Sequence, residues 1–298
     1  MYKIIIFSLS ILFFSACSIK DTSIQHTIKH NCEFYSLKTA QCENASDLIH
    51  NLEPYKVIFI GDHHTEDDLH LRVAQLISDL YKNGVKIILA NEWFYPSDKK
   101  VLQAFSSNED NESVFLDKIQ WKKRMKFYKY DSFKPMYEAI KKSSGELHGI
   151  NLSKVQRKNI SEQNLLGMDK EENIFYKNLD LNVNPHKSLV MPYLSHCHAP
   201  KQNETLEECI QRMYRVQVAW DSKMALESYK LSTKLKSNEK LLVFAGSMHI
   251  ENNLGIALRF ARLSNEPFVS IIPVPENDKE ILHGLGDYLI FYKETQRP

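Results

Sequence analysis

The stretch VIFIGDHHTEDDLHLRVAQLI, residues 57–77, changes its pattern at the middle. Val57–Ile60 is a continuous apolar run, which is typical of a strand buried on both faces. From Asp68 to Lys82 apolar residues recur at helical spacing, which is typical of an amphipathic helix. These residues are Leu69, Val73, Leu76, Ile77 and Leu80. A buried strand followed directly by such a helix predicts one unit of a parallel sheet.

Apolar runs alternate with longer amphipathic segments over most of the 298 residues. The predicted strands are Val57–Ile60, Val85–Ala90, Leu147–Ile150, Leu189–Leu194, Leu241–Ala245, Phe268–Pro273 and Tyr288–Tyr292. We therefore expect an α/β fold with a mostly parallel sheet flanked by helices. Two more polar segments with helical patterns, roughly residues 97–130 and 152–187, interrupt this alternation. They predict insertions that form a second, smaller helical domain.

The N-terminus has the pattern of an export signal. In residues 1–16, Lys3 precedes the apolar run Ile4–Phe14, which is too short to span a membrane. The small residues before Cys17 resemble the lipobox of bacterial lipoproteins, although Phe14 stands where Leu is usual. This pattern predicts a lipid-modified Cys17 as the mature N-terminus. The alternative is an ordinary signal peptide followed by a chance cysteine.

The chain after the signal divides into two parts. Residues 17–50 are polar and lack sustained apolar periodicity, so we expect them to form a tether. We expect residues 51–298 to form the folded domain. With a lipid at its N-terminus, the protein is expected at a membrane through the lipid anchor only. We expect the outer membrane, with the domain in or facing the periplasm.

Charge and cysteine content narrow the class of protein further. The formal net charge of the whole chain is +1, and it becomes zero when the signal with Lys3 is removed. A nucleic-acid partner is not indicated, because phosphate binding needs a basic excess. Four cysteines remain after Cys17, and the oxidising compartment that an exported protein reaches favours disulfides. Of the three pairings, proximity favours Cys32–Cys42 and Cys197–Cys209, while free thiols or a metal cluster are the alternatives.

The pattern G-x-x-H-x-E-x-x-L occurs twice, as GDHHTEDDL at 61–69 and as GSMHIENNL at 246–254. Each copy directly follows an apolar strand. Gly61 and Gly246 are expected to permit a sharp turn that a side chain would obstruct. His64 and His249 would then lie at the carboxyl ends of parallel strands, where α/β proteins bind ligands. The alternative is a chance similarity of two short stretches.

Four polar clusters fall at the ends of predicted strands. They are Asp62-His63-His64, Glu92, the segment Tyr193–His198 and His249. If they converge, their imidazoles and carboxylates could bind zinc or iron, or could exchange protons with a ligand. The competing interpretation is that each histidine is a hydrogen-bonded structural residue.

Several motifs resemble, in order, the ChaN family of iron-regulated haem-binding lipoproteins. They are VIFIGDHHTEDDLH, LANEWF, SFKPMYEAI, GINLSK, SHCHAP with MYRVQVAWDSKMA behind it, and VFAGSMHIENNLGIALR, which together span most of residues 55–275. Two positions depart from the family: Asp62 where many relatives have Glu, and His198 where Gly is common. More distantly, the paired motifs look like those of the erythromycin-esterase and Tiki/TraB group, which includes hydrolases.

The resemblance implies a parallel-sheet domain with a small helical domain, and two haems held face to face in a homodimer. It also implies a tyrosine ligand from one subunit and a histidine from the other that contacts the propionates. Phenolate is a hard anionic ligand that suits ferric iron. We expect Tyr193 to be this ligand, with Tyr130 and Tyr128 next. His196 and His198 are expected to contact the propionates.

The sequence is compatible with two functions. The first is a non-enzymatic protein for haem or iron uptake or storage, with haem as cofactor and an outer-membrane haem receptor as a partner. The alternative is a metal-dependent hydrolase that uses His64, His249 and Glu92. The chain has neither an H-E-x-x-H helix nor a G-x-S-x-G elbow, which favours the first.

Overall fold

The computed structural model describes residues 32–198, 200–277 and 284–295. The strands are β1 Phe34–Ser36, β2 Gln41–Glu43, β3 Val57–Asp62, β4 Lys86–Asn91, β5 Glu146–Gly149, β6 Glu239–Gly246, β7 Phe268–Pro275 and β8 Tyr288–Tyr292. The α-helices are α1 Ala45–Asn51, α2 Asp67–Lys82, α3 Lys99–Ser106, α4 Glu112–Lys118, α5 Trp121–Arg124, α6 Tyr130–Lys142, α7 Lys154–Glu162, α8 Lys170–Lys177, α9 Asn184–Leu194, α10 Leu206–Ser232 and α11 Ile256–Ala261. The signal peptide and Cys17 lie outside the described residues.

The described strands form one sheet in the order β2-β1-β8-β7-β3-β6-β4-β5. Six neighbouring strands run parallel to one another, and they are β8, β7, β3, β6, β4 and β5. At the β8 edge, β1 and β2 are added antiparallel. The prediction of an α/β fold with a mostly parallel sheet is therefore confirmed. Strand β3 lies near the centre, and its register places Asp62 opposite Gly246 of β6.

The sheet is covered by helices on both faces. Ile58 and Ile60 of β3 belong to the cluster that α2 and α6 complete on one face. Val57 and Phe59 belong to the cluster that α10 and α11 complete on the other. This burial on both faces explains why β3 is a continuous apolar run rather than an alternating one.

One predicted strand is wrong. Residues 189–194 are the second half of helix α9, which has a proline in its first turn. Val190 and Leu194, four positions apart, are the buried residues of this half, and they pack with Tyr214 and Val218 of α10. A short apolar run fits a buried helix turn as well as a strand, and here the helix spacing decides. Tyr193 therefore lies on a helix and not at the end of a strand.

The range predicted as a tether contains structure. Strands β1 and β2 and helix α1 all begin before residue 50, and β1 pairs with β8. From residue 34 onward this range therefore belongs to the fold. Three-residue strands are too short to give a periodic signal, which is why the sequence pattern did not indicate them.

The two predicted insertions are both helical in the structure. Apolar residues of the first, such as Phe105 and Trp121, belong to the cluster on the α2 face of the sheet. Ile160 of the second packs with Ala219 of α10, in a separate small cluster. The two segments therefore pack against different parts of the sheet domain.

The predicted disulfides Cys32–Cys42 and Cys197–Cys209 are both present. The first fastens residue 32 to β2, and the second joins the loop after α9 to α10. Among the described helices, none has the length and apolar character needed to cross a bilayer.

Candidate functional site

The two copies of the G-x-x-H pattern meet at one carboxylate. Glu92 directly follows β4, and its Oε1 lies 3.6 Å from Nε2 of His64, which follows β3. Its Oε2 lies 3.8 Å from Nε2 of His249, which follows β6. Because β3, β6 and β4 are neighbours in the parallel sheet, their carboxyl ends bring these side chains together. We call His64, Glu92 and His249 the central triad.

A buried aspartate holds each histidine of the central triad from behind. Nδ1 of His64 donates to Oδ2 of Asp62 over 2.8 Å, and Asp62 is the last residue of β3. Nδ1 of His249 lies 2.5 Å from Oδ1 of Asp221 in the middle of α10. A carboxylate on Nδ1 fixes the ring and leaves Nε2 facing Glu92.

Each aspartate also contacts a second, fully buried histidine. Oδ1 of Asp62 lies 2.7 Å from Nε2 of His70, whose other ring nitrogen contacts Ser132. Oδ2 of Asp221 lies 2.9 Å from Nε2 of His186. The internal repeat thus extends from the motif to a His–Asp–His arrangement on either side of Glu92.

Sequence reasoning missed Asp221, His70 and His186. His70 lies on the buried face of α2, and Asp221 occupies a buried position in α10. The only signal was a polar residue where helical spacing demands an apolar one. Nothing in the sequence indicated which histidine each such position would meet.

The charges of this network are coupled. Burial acts to raise the pKa of Asp62, but hydrogen bonds from His64 and His70 outweigh it, so that the pKa is lowered. Burial likewise opposes the charged form of His249, yet the Asp221 carboxylate raises its pKa above the ordinary value. The pKa of His64 is also raised, because Asp62 and Glu92 outweigh its burial. Both histidines of the central triad therefore favour the protonated form more than a free histidine does.

The two glycines of the motif are required by close packing. A Cβ on Gly246 would lie 3.0 Å from Cε1 of His64, and a Cβ on Gly61 would lie 2.7 Å from Pro273 and from Ser247. Neither glycine has a positive φ, and Gly61 lies within β3. The structure therefore gives these glycines a different role from the expected sharp turn. They leave room for the His64 ring and for the chain after β6.

Aromatic rings flank the central triad on the His64 side. The His64 ring lies edge-on to Trp93, with centroids 4.6 Å apart, and to Tyr128, at 5.5 Å. The side chain of His64 keeps 33% of its surface exposed. His63 points elsewhere, since its Nδ1 lies 2.6 Å from the hydroxyl of Tyr292. His64 is therefore the histidine of the first motif that faces the central carboxylate.

The fourth predicted cluster lies on α9 and the loop after it. Tyr193 is 53% exposed, and His196 and His198 are exposed as well. Nε2 of His198 donates to the carbonyl oxygen of Tyr193 over 2.7 Å, and the disulfide of Cys197 holds the loop to α10. These three residues form a group of their own, and among the described residues no contact joins them to the central triad.

A cleft of about 320 Å³ opens beside the end of α9. Its apolar lining comes from Leu194, Met213, Val216 and Trp220. Its basic residues are Lys154, Arg157, Lys158 and Arg212, of which Arg212 pairs with Glu204. Gln217 also lines this cleft, and its amide lies 3.0 Å from Nδ1 of His249. The cleft therefore lies next to the His249 side of the central triad.

The two runner-up tyrosines differ from Tyr193. Tyr130 is 7% exposed, and its buried hydroxyl has no hydrogen-bond partner among the described residues. Tyr128 is half-buried, and burial together with the charges of Glu92 and Asp62 raises its pKa. Both residues are thus poorly placed to ionise. Tyr128 and Tyr130 also line a groove rich in lysine on the surface of α4 and α5.

Comparison with known proteins assigns these features to a family. A sequence model described as haem-binding uptake, Tiki superfamily, ChaN matches residues 48–260. No curated protein sequence matches the chain significantly. A structure of ChaN of Campylobacter jejuni with cofacial haem is similar at a TM-score of 0.67 and 20% identity, and the match covers 87% of this chain and 96% of that one.

Two further structures are similar at lower scores. A type III effector matches at a TM-score of 0.49 and 15% identity over 84% of this chain and 94% of its own. An erythromycin esterase in an open conformation matches at 0.48 and 12% identity, over 81% and 77%. The likeness to the Campylobacter jejuni structure, at 20% identity, shows the fold alone, and the two lower scores add no argument.

Proposed function

The chain belongs to the ChaN family of haem-binding uptake proteins within the Tiki superfamily, and on that premise we propose that it binds ferric haem through Tyr193. The observation that carries the choice of residue is the exposed phenol of Tyr193 on the last turn of α9, where the next residue, Leu194, lines the cleft. Of the three tyrosines considered, Tyr193 is the most exposed, whereas Tyr128 and Tyr130 have raised pKa values because of burial and nearby carboxylates.

The residues of the cleft fit the requirements of haem. The porphyrin is a flat apolar plate, and Leu194, which follows Tyr193 in the chain, offers an apolar surface together with Met213, Val216 and Trp220. Its two propionates are anionic, and Lys154, Arg157 and Lys158 are basic residues of the same cleft. When bound, the ferric iron supplies the Lewis acid that a phenolate ligates, as in catalase.

A second copy of the chain is part of this proposal. A cleft of about 320 Å³ is too small to enclose a porphyrin, so one face of the haem would stay uncovered in a single chain. Cofacial haem is what the similar Campylobacter jejuni structure holds. Pairing two copies of the present chain would cover that face, with the exposed His196 and His198 as the contacts offered to the partner's propionates.

The biological setting follows from the N-terminus. We place the protein on the outer membrane, facing the periplasm and anchored by lipid at Cys17. There it would take part in haem or iron uptake or storage, and an outer-membrane haem receptor would be its partner. Labelling with a radioactive fatty acid tests the anchor, because a Cys17→Ser variant would lose the label.

The experiment for haem binding is an absorption titration of the purified protein with ferric haemin. We expect a saturable shift of the Soret band and a high-spin charge-transfer band, as a phenolate ligand gives. Sedimentation at saturating haemin should show a dimer. Linear, unsaturable absorption would contradict the proposal.

The central triad favours a second candidate function, a hydrolase. Two imidazoles with raised pKa values face one carboxylate, and buried aspartates orient both rings, which is the arrangement that acid–base catalysis uses. In the described residues, the one set of three possible ligand atoms within 4.8 Å of one another is Cys197, Glu204 and Cys209, and both cysteines are in a disulfide. The ligand atoms of the central triad therefore do not all lie within 4.8 Å of one another, as the ligands of one ion would. Proton transfer fits this spacing better than metal ligation.

This second function is tested with a panel of soluble esters and lactones. Activity that disappears in both His64→Gln and Glu92→Gln, with folding retained by circular dichroism, would support a hydrolase. Activity that stays at the wild-type level in both variants would be unrelated to the central triad.

A further inference from the structure

A groove of about 740 Å³ lies on the surface of α4, α5 and the loop that follows. Four exposed lysines line it, together with apolar side chains and one carboxylate, Asp117. The lysines are Lys122, Lys123, Lys126 and Lys129. We call these four residues the lysine groove. None of them forms an ion pair with the described residues, and with four lysines to one carboxylate the groove has an excess of positive charge.

An aromatic tip stands beside the lysine groove. Phe127 is 82% exposed, which is unusual for a phenylalanine in water. The ammonium group of Lys126 lies 5.6 Å from the centre of its ring. The same short loop therefore presents an apolar ring to solvent with a positive charge next to it.

The loop that carries Phe127 is fixed by the core. The indole nitrogen of Trp121 donates to the carbonyl oxygen of Tyr128 over 3.0 Å, and Trp121 is 5% exposed. Arg124 pairs with Asp98 at 2.8 Å and stacks on Tyr95 at 4.2 Å. These contacts hold both ends of the loop, so the exposure of Phe127 is a property of the folded protein.

We propose that the lysine groove and Phe127 dock the protein onto an anionic lipid surface. Lysines near a bilayer attract anionic headgroups, and an exposed aromatic ring gains free energy at the interface between headgroups and acyl chains. An acidic protein or a nucleic acid would match the lysines equally well, but would leave the single apolar tip without a partner.

In the cell, this docking surface would act on a domain that is already held at the membrane, so the inference rests on the proposed lipid anchor. From Cys17 to the first described residue the chain has about 15 residues, which reach at most about 50 Å when extended. An anchored domain is therefore confined near the membrane, and even a weak surface contact would be occupied at that effective concentration. The orientation of the domain would then be set by Phe127.

Lysine footprinting of the full-length protein tests this proposal. The protein is reconstituted with vesicles of neutral phosphatidylcholine or of phosphatidylcholine mixed with phosphatidylglycerol, and lysines are methylated and counted by mass spectrometry. We expect at least threefold slower methylation of the lysine groove on the anionic vesicles. Lys170 and Lys177 on α8 are exposed controls whose rates should not differ between vesicles.

Matched variants identify the residues responsible. Phe127→Ser should reduce the difference by weakening the contact with the vesicle, whereas Leu166→Ser, which removes a fully exposed apolar side chain elsewhere, should keep it. Replacing Lys126 and Lys129 by Gln should remove most of the protection of the other two lysines, since each lysine contributes roughly fivefold to the affinity for an anionic surface.

Two results would overturn the proposal. One is equal methylation of the lysine groove on neutral and anionic vesicles. The other is protection by haemin alone, without lipid, which would make the groove a haem site. Co-sedimentation with both vesicle types reports on the anchor separately, so a failed anchor and a failed docking surface give different results.

Discussion

His64 and His249 approach opposite oxygens of the Glu92 carboxylate at nearly equal distances, 3.6 and 3.8 Å. Each ring is held by its own buried aspartate, and each aspartate contacts a further buried histidine. Because His64 and His249 come from the repeated motif after β3 and β6 and each belongs to a His–Asp–His arrangement, the site has an approximate internal symmetry. Removing one aspartate should therefore disturb one half and leave the other as an internal reference.

The first prediction concerns Asp221. Asp221→Asn should lower the pKa of His249, because the carboxylate that raises it is lost, and should change His64 far less. It should also reduce the free energy of unfolding by about 3 kcal/mol, as is typical when one partner of a buried ion pair is removed. Histidine titration by NMR and urea unfolding measure the two effects.

The pH dependence of that loss has a definite sign. The Asp221 pKa is lowered to about 2, so its stabilising contribution is lost as the pH falls from 3.8 toward that value. The His249 pKa is raised, so its contribution is present below 6.5 and is lost as the pH rises through the folded pKa. The stability difference between wild type and Asp221→Asn should therefore be largest between about pH 4 and 6.5. Asp180→Asn, at an exposed ion pair with Arg262, is the control, and an equal loss there would contradict the prediction.

The second prediction separates the two motif glycines. Gly61→Ala should destabilise the protein more than Gly246→Ala, because its Cβ would meet Pro273 and Ser247 at 2.7 Å. We expect roughly 2–3 kcal/mol for the first, as for overpacking of a core, and less for the second. Gly246→Ala should instead shift the titration of His64, whose ring must move away from the new methyl group. An unchanged His64 titration in Gly246→Ala would show that the ring has room to spare.

The third prediction concerns the two disulfides. Replacing either pair of cysteines by serine should cost about 3 kcal/mol, because both bridges close loops of similar length, 10 and 12 residues apart. Only the Cys197/Cys209 variant should also weaken haem binding, since that bridge fixes the loop next to Tyr193. Equal haem affinity in the two variants would argue against a binding site at the end of α9.

Much of the fold was predictable from residue pattern, and the failures have physical causes. The buried strands β3, β4, β6 and β7 are long apolar runs between amphipathic helices, and such runs have few alternatives. Residues 189–194 were misassigned because six apolar-rich residues fit either a strand or a helix. The packing of Val190 and Leu194 on α10, which the sequence does not show, decides between them.

The central triad was predictable in part. The repeated motif and the position of Glu92 after β4 indicated which residues meet at the edge of the sheet. Asp221 and His186 come from distant segments of the chain, and their approach depends on how α9 and α10 pack on the sheet. No local pattern encodes that contact. The position of Tyr193 on a helix likewise follows from tertiary packing.

The central claim is that Tyr193 is the ligand for ferric haem. The most direct test is a haemin titration followed in the visible spectrum, on the wild type, on Tyr193→Phe and on two controls. Tyr81→Phe removes the hydroxyl of another exposed tyrosine, on α2, and Tyr128→Phe removes the runner-up ligand. We predict that the high-spin charge-transfer band and saturable binding are lost in Tyr193→Phe and persist in both controls. Retention of that band in Tyr193→Phe, or its loss in Tyr128→Phe, would contradict this account.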